Sequence, residues 1–340
     1  MIVDRYYYQQ LNKQEQAIYK AFYKGVMSYQ GVMKHKAIIP IPIKGTFSEN
    51  DFRRVFLAMT RDNPLIYFLN QSACSLAKDG LGHIAICPQY FFPQEKIKAY
   101  NRKIEQVVNH LVKQLHLMQC DDYEKEIRVH NWICQNIQYD DEGTNKHKVS
   151  RVIASHNILG VFAYHKAQCE GIAKAVKVLL NTVDVKCIVV TGNAVKDGVY
   201  IPHAWNIVNI DGEPYQLDVT WDIGTDYQKY DYFNLKDEWI EQDHKANCVL
   251  PVCSLSTANY YVKNKCIFQT KHSLLAYIQR LIKRNERIIE FRVEEQLNQP
   301  GLVKEVTDVI LKSLNEQERN CMRIRAYVNK SLGIYRLEIY

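Results

Sequence analysis

Along residues 5–29 the apolar and aromatic positions Tyr8, Leu11, Ala17, Ile18, Ala21, Phe22, Val26 and Met27 recur at steps of three and four. That period predicts an amphipathic helix whose tyrosines pack on a core. Pro40 and Pro42 impose an extended piece. Ser48, three residues before Asp51, is a capping-box-like start for a helix reaching about Thr60. Two short apolar runs bounded by Pro and Gly, Pro64 to Leu69 and His83 to Cys87, predict strands. Pro93 opens a helix over 94–117, with Ile97, Ile104, Val108, Leu111 and Leu115 on one stripe. Asp121-Asp122 starts another that runs to Tyr139, so the first 140 residues read as mainly helical.

The pattern changes after 140–150, a polar stretch without a period that reads as a surface connector, with a lid as the alternative. Ile172, Ala173, Val176, Leu179, Leu180 and Val183 mark a helix over 169–183. Strands are predicted at 185–191, 199–210 and 213–221, joined by turns at Lys196-Asp197-Gly198 and Asp211-Gly212. A helix followed by antiparallel strands is an α+β arrangement, the helix packed on the sheet. Residues 227–235 are rich in Tyr and Asp, and Pro251 to Tyr261 is irregular and expected to lie across the core. The tail alternates a helix at 273–284, a strand at 288–293, a helix at 302–314 and strands at 322–328 and 334–339. The expected division is therefore a mainly helical region 1–95, a core 96–265 and a small α/β appendix 266–340.

Composition changes this picture little. The 47% hydrophobic content is ordinary for a globular protein. No apolar run approaches the roughly 18 residues needed to cross a bilayer. The first residues lack a cationic segment followed by an apolar one. The expectation is a soluble cytoplasmic protein with no membrane partner. The net charge of +7 is dispersed in short clusters such as Lys34-His35-Lys36, so nucleic acid is not expected as a partner. The ten cysteines are expected to be reduced, nine of them as packing residues. None forms a Cys-x-x-Cys, and Cys248 with Cys253 lacks the second pair or histidines of a zinc site.

Candidate chemistry lies between Gln168 and Asp222. Cys169 opens its helix, and a thiol attacks as its thiolate, although a free cysteine near pKa ~8.5 is mostly protonated at neutral pH. Unpaired N–H groups and the positive end of the helix dipole favour an anion there. The same N–H groups can donate to an oxyanion, and Gly171 keeps the turn slim for a substrate backbone. With Asp211-Gly212 as a two-residue hairpin turn, residue 210 faces 213, so His203 falls opposite Thr220 and Trp205 opposite Asp218. His203 and Asp218 are then diagonal neighbours on one face, where the carboxylate can orient the imidazole. Asp222 obeys the same parity and stays a rival. Asp218 is preferred because it lies inside the predicted strand, where a charge needs a partner.

The run Lys166-Ala167-Gln168-Cys169-Glu170-Gly171, then His203-Ala204-Trp205-Asn206, then Asp218-Val219-Thr220-Trp221-Asp222, resembles the core of bacterial transglutaminase-like proteins. Those belong to the papain-like cysteine enzyme superfamily. The resemblance implies a papain-like α+β core with Cys169 as nucleophile, His203 as general base and acid, and Asp218 as orienting residue. It also implies cysteine-dependent acyl transfer on amide or peptide carbonyls through a thioester. The partners would be a protein or peptide acyl donor, and water or a primary amine as acceptor. Hydrolysis ranks first, and a protein-glutamine transglutaminase or an inactive binding protein of the same fold is the alternative. Papain-like proteases place a glutamine about six residues before the nucleophile; here Ala163 stands there, so Trp132, Tyr139, Tyr164 and Gln168 are candidates for the missing oxyanion donor. Trp205, beside the histidine, is a further substrate-site candidate. No cofactor is expected and no metal, because no acidic cluster has ligand spacing.

Overall fold

The computed structural model describes residues 5–29, 41–43, 47–70, 73–78, 84–142, 153–196, 198–224, 227, 229–314, 319 and 321–340. Pro40, His83, Asp197 and most of the 140–150 stretch lie outside them. Among the described residues no helix is long and apolar enough to cross a membrane.

The N-terminal periodicity is split. A short helix, Tyr6–Gln9, is followed by a second, Lys13–Met27. The Asn12 side chain accepts from Glu15 N while the Glu15 carboxylate accepts from Asn12 N, a reciprocal cap that restarts the helix. Strand β1 (Ile41–Ile43) alternates buried, exposed, buried, as an edge strand containing a proline must. The helix Glu49–Asp62 begins with the Ser48 and Asp51 capping box that its sequence predicts. Pro64 to Leu69 is not a strand. Ile66, Tyr67, Phe68 and Leu69 are buried in turns, with a single bridge from Leu69 to Tyr90. An apolar run signals burial, and here the burial comes from side-chain packing rather than sheet pairing. The pairing partner is instead β2 (Ser75–Lys78), which joins β1 on β3 (Ile84–Cys87) in a three-stranded antiparallel sheet.

Two long helices follow, Gln94–Gln114 and Asp122–Asn136, the second capped by Asp121 accepting from Glu124 N. A parallel pair of two-residue strands, β4 (Gln138–Tyr139) and β5 (Lys166–Ala167), then delivers the chain to the helix Cys169–Thr182. That helix lies on a four-stranded antiparallel sheet ordered β8, β7, β6, β9. Its strands are β6 (Cys187–Lys196), β7 (Val199–Ile210), β8 (Glu213–Leu217) and β9 (His244–Ala246).

Alternation along this sheet builds two cores. Val189 and Ala204 face the helix at Ala173 and Cys169. Ile188, Val190, Trp205 and Ile207 point the other way and pack with Leu274, Ile278, Phe291, Val306 and Leu337 of the C-terminal region. That region carries the helices Lys271–Lys283 and Leu302–Lys312 and a sheet ordered β10 (Ile267–Phe268), β11 (Ile288–Val293), β13 (Ile334–Ile339), β12 (Ile324–Asn329). The protein is α+β, with a helix packed on an antiparallel sheet at its centre, as a papain-like core requires.

Candidate active site

The hairpin that positions the candidate histidine turns at Asp211 and Gly212, both at positive φ, as a two-residue turn of this type requires. Ile210 faces Glu213 and Asn206 faces Leu217. The register is the one read from the sequence, but β8 stops at Leu217, short of the predicted Trp221. Asp218 caps the short helix Val219–Asp222 instead, its Oδ1 accepting from Thr220 N at 2.9 Å. A residue able to cap outcompetes the next β rung, because its carboxylate satisfies a backbone donor locally.

Asp218 Oδ2 lies 2.6 Å from His203 Nε2, both groups buried. Burial alone would depress the His203 pKa, yet the Asp218 charge and hydrogen bond, together with the Cys169 thiol, raise it to about 10. The Cys169 thiol is thus among the groups that raise the imidazole's pKa. Asp218 is fully buried, which would raise its own pKa, but His203 and His244 hold it well below the usual carboxylate range. Trp205 stacks along His203 at 6.1 Å and donates its Nε1 to Gln216 Oε1 at 2.8 Å. Trp221 covers another side of the imidazole at 5.7 Å.

Cys169 is partly exposed at the first position of its helix. Gln168 precedes it without a side-chain cap, so the tip keeps its N–H groups for an anion. The neighbouring Glu170 carboxylate is drawn to Lys174 Nζ at 2.7 Å, which limits its opposition to a thiolate next door.

The other candidates fall in different places. The Gln168 amide is buried and donates to Asp140 O at 3.1 Å. Burial first, then the neighbouring Cys169, Asp141 and Asp218, push the Tyr139 hydroxyl up to about 12. Tyr164 is largely exposed, its hydroxyl against that of Tyr100. Trp132 is buried in the main core. Gly171 also has a packing reason: a Cβ there would stand 2.5 Å from Ser155 O and 2.9 Å from Asn157 O, so the glycine lets the helix seat against the 153–160 backbone.

Sequence reasoning missed His244, which β9 brings to Asp218 Oδ2 at 3.0 Å. His203, Asp218 and His244 offer donor atoms within 4.8 Å of one another, a set of the kind that can hold a cation. Both Nε2 atoms face the same carboxylate oxygen, however, so each carries a proton there instead of offering a lone pair.

No curated protein matches the chain. Residues 109–219 match the family model of the transglutaminase-like superfamily. One solved structure, described as a TGase, is 18% identical over 61% of this chain and 59% of its own, with a TM-score of 0.31. A second, described as a candidate cysteine protease from Cytophaga hutchinsonii, is 12% identical over 43% of this chain and 61% of its own, with a TM-score of 0.28. The chain spans less than two thirds of either. The matched stretch holds Cys169 and His203 and ends one residue past Asp218, so the similarity to the transglutaminase-like superfamily covers residues 109–219 of this chain.

Proposed function

We propose that the protein is a cysteine-dependent acyl-transfer enzyme acting on amide or peptide carbonyls. The observation that carries this reading is the 2.6 Å contact of His203 Nε2 with Asp218. With that nitrogen protonated toward a carboxylate, Nδ1 is left with its lone pair for the thiol at the helix tip. His203 takes the Cys169 proton, and the thiolate attacks the substrate carbonyl. The imidazolium then protonates the departing amine, leaving a thioester that water resolves. Asp218 fixes the ring and stabilises its cation throughout. The oxyanion would meet the first N–H groups of the Cys169 helix and the Tyr139 hydroxyl.

Hydrolysis is preferred to transamidation because water needs no dedicated channel, whereas a primary amine must be favoured over it. In the test, purified protein is treated with iodoacetamide at pH 6 to 7 and each cysteine is followed by mass spectrometry. Cys169 should label far ahead of the other nine, and His203→Ala should remove that lead. Equal labelling of all ten in the unmodified protein sinks the proposal. Activity is then sought on fluorogenic peptide amides, with and without a primary amine. Tyr139→Phe should lower kcat by about a hundredfold with KM little changed, as expected for the loss of one oxyanion donor. An unchanged kcat removes Tyr139 from the mechanism.

A further inference from the structure

Asp218 receives three donors: Thr220 N on Oδ1, and the Nε2 atoms of His203 and His244 on Oδ2 at 2.6 and 3.0 Å. Such a carboxyl is ionised. The second histidine continues away from the thiol. His244 Nδ1 lies 2.6 Å from Asp243 Oδ1, and Asp243 Oδ2 accepts from Tyr232 OH at 2.6 Å and from Ser331 Oγ at 3.3 Å. His244 is therefore held between two carboxylates, one on each ring nitrogen. A neutral imidazole has one N–H and one lone pair, and a lone pair facing a carboxylate oxygen at 2.6 Å would be repelled. With both carboxyls ionised, the short contacts at both ends call for two N–H donors.

We propose that His244 is a permanently protonated positioning residue, an imidazolium that holds Asp218 ionised and aims its Oδ2 at His203. The inference rests on the reading of Cys169, His203 and Asp218 given above and adds a fourth and fifth member, His244 and Asp243. His244 does not touch the thiol and acts through Asp218. It is buried among Trp221 (ring centroids 4.6 Å apart), Trp205 (5.1 Å) and Tyr232 (5.5 Å). The titratable groups facing it are Asp218, Asp243, His203 at 5.3 Å and Tyr232. Its charge offsets part of the Asp218 charge that His203 would otherwise feel, and so keeps the His203 imidazolium able to surrender its proton to a leaving amine. Ser331 lies between β12 and β13, so the far end of the C-terminal region reaches this chain of groups through Asp243.

The test reads the protons directly. In full-length protein labelled with nitrogen-15 histidine, His244 is assigned as the signal lost in His244→Gln. At neutral pH both its ring nitrogens should appear protonated. In Asp243→Asn, where an amide can donate to Nδ1, one nitrogen should lose its proton. The pH profile of Cys169 alkylation should keep its shape in both variants, with its alkaline limb moved to higher pH, further for His244→Gln. The labelling rate at neutral pH should fall by about tenfold in His244→Gln. A neutral His244 in the unmodified protein overturns the proposal, and so does an alkaline limb that neither variant moves. Failure of the underlying reading looks different, because Cys169 would then show no preferential labelling before any substitution is made.

Discussion

The molecule contains two clusters with the same three residue types, and the proposed function gives a proton transfer to only one of them. In the first, Asp218 Oδ2 meets Nε2 of His203, and on the proposed reading Nδ1 is left for the thiol of Cys169. In the second, Asp222 Oδ2 lies 3.1 Å from His130 Nε2, and the sulfur of Cys134 lies 3.8 Å from that same atom. The remaining nitrogen, Nδ1, faces the side chain of the next residue, Asn131, at 3.2 Å. A ring whose Nε2 is protonated toward a carboxylate has no lone pair there for a thiol proton. His130 is also sealed between Tyr230 and Phe233, with ring centroids 5.3 and 5.1 Å away. Burial would lower its pKa, but Cys134 and Asp222 raise it well above the ordinary value, as their counterparts do for His203. Perturbed titration alone does not separate the two clusters. What separates them is which ring nitrogen meets which partner.

The comparison is broken most directly by deleting each histidine. Cys169→Ala or His203→Ala should reduce acyl transfer by at least about a thousandfold, since nucleophile and base act as a unit. His130→Ala should leave the Cys169 labelling rate within about twofold while lowering stability, because Asp222 is left buried without its imidazole. A collapse of Cys169 reactivity in a folded His130→Ala protein would mean that the second cluster contributes to the chemistry.

Next in size are the two aspartates, which were rivals on sequence grounds alone. Asp218→Asn should cost about a hundredfold or more in kcat, through the wrong tautomer of His203, with a modest change in fold stability. Asp222 also accepts from the backbone N of Asp231 and Tyr232, at 3.1 and 3.3 Å, so it ties that stretch of backbone to the Cys134 side of the core. Asp222→Asn should therefore cost about 3 kcal/mol of stability, read by denaturant unfolding, with kcat changed by less than the Asp218 variant. The opposite assignment of the two effects would reverse the comparison.

That rivalry marks how far the sequence could be read. The helix at Cys169, the hairpin turn at Asp211-Gly212 and the register that sets His203 near Asp218 all follow from local rules, because turn geometry fixes cross-strand pairing. The α+β class and the C-terminal alternation of helix and strand follow from periodicity in the same way. Three things did not follow. The strand after Gly212 ends early because Asp218 caps a helix, a competition that a run of β-formers does not reveal. His244 sits on a three-residue edge strand, too short for any period, and joins the site only through its pairing with Gly192 to Ala194. The packing need at Gly171 depends on carbonyls of the 153–160 segment that no local pattern places beneath the helix.

Both histidines also tie stability to pH, and in the same direction. The folded His203 pKa, raised to about 10, stands above its unfolded value of about 6.5. Its contribution is fully present below that unfolded value and is lost as pH rises toward 10. His130 is raised as well and adds to the loss on the alkaline side. Asp218, held low, contributes above the unfolded carboxylate range, and its share disappears only when acid protonates it in the folded state. Thermal unfolding midpoints should thus decline between about pH 7 and 10. Asp218→Asn should flatten the His203 part of that decline and Asp222→Asn the His130 part. A midpoint that rises over this interval would show that neither imidazole is held charged in the folded protein.

The smallest effect sharpens the comparison furthest, because it concerns the thiols themselves. Cys134 is partly buried on the helix Asp122–Asn136, packs against the main core, and its sulfur makes a long contact to His130 at 3.8 Å. Cys134→Ala removes a small packing group and a weak hydrogen bond, so it should cost about 1 kcal/mol and leave Cys169 alkylation unchanged. In the unmodified protein Cys134 should label slowly with iodoacetamide, although it too stands beside an imidazole and a carboxylate. The reason is the proton count: a nitrogen already donating to Asp222 cannot also take the thiol's proton, whereas Nδ1 of His203, which Asp218 does not occupy, can hold the proton that Cys169 gives up. Labelling of Cys134 as fast as Cys169 would show that proximity of the three residue types suffices, and the distinction between ring nitrogens would lose its force.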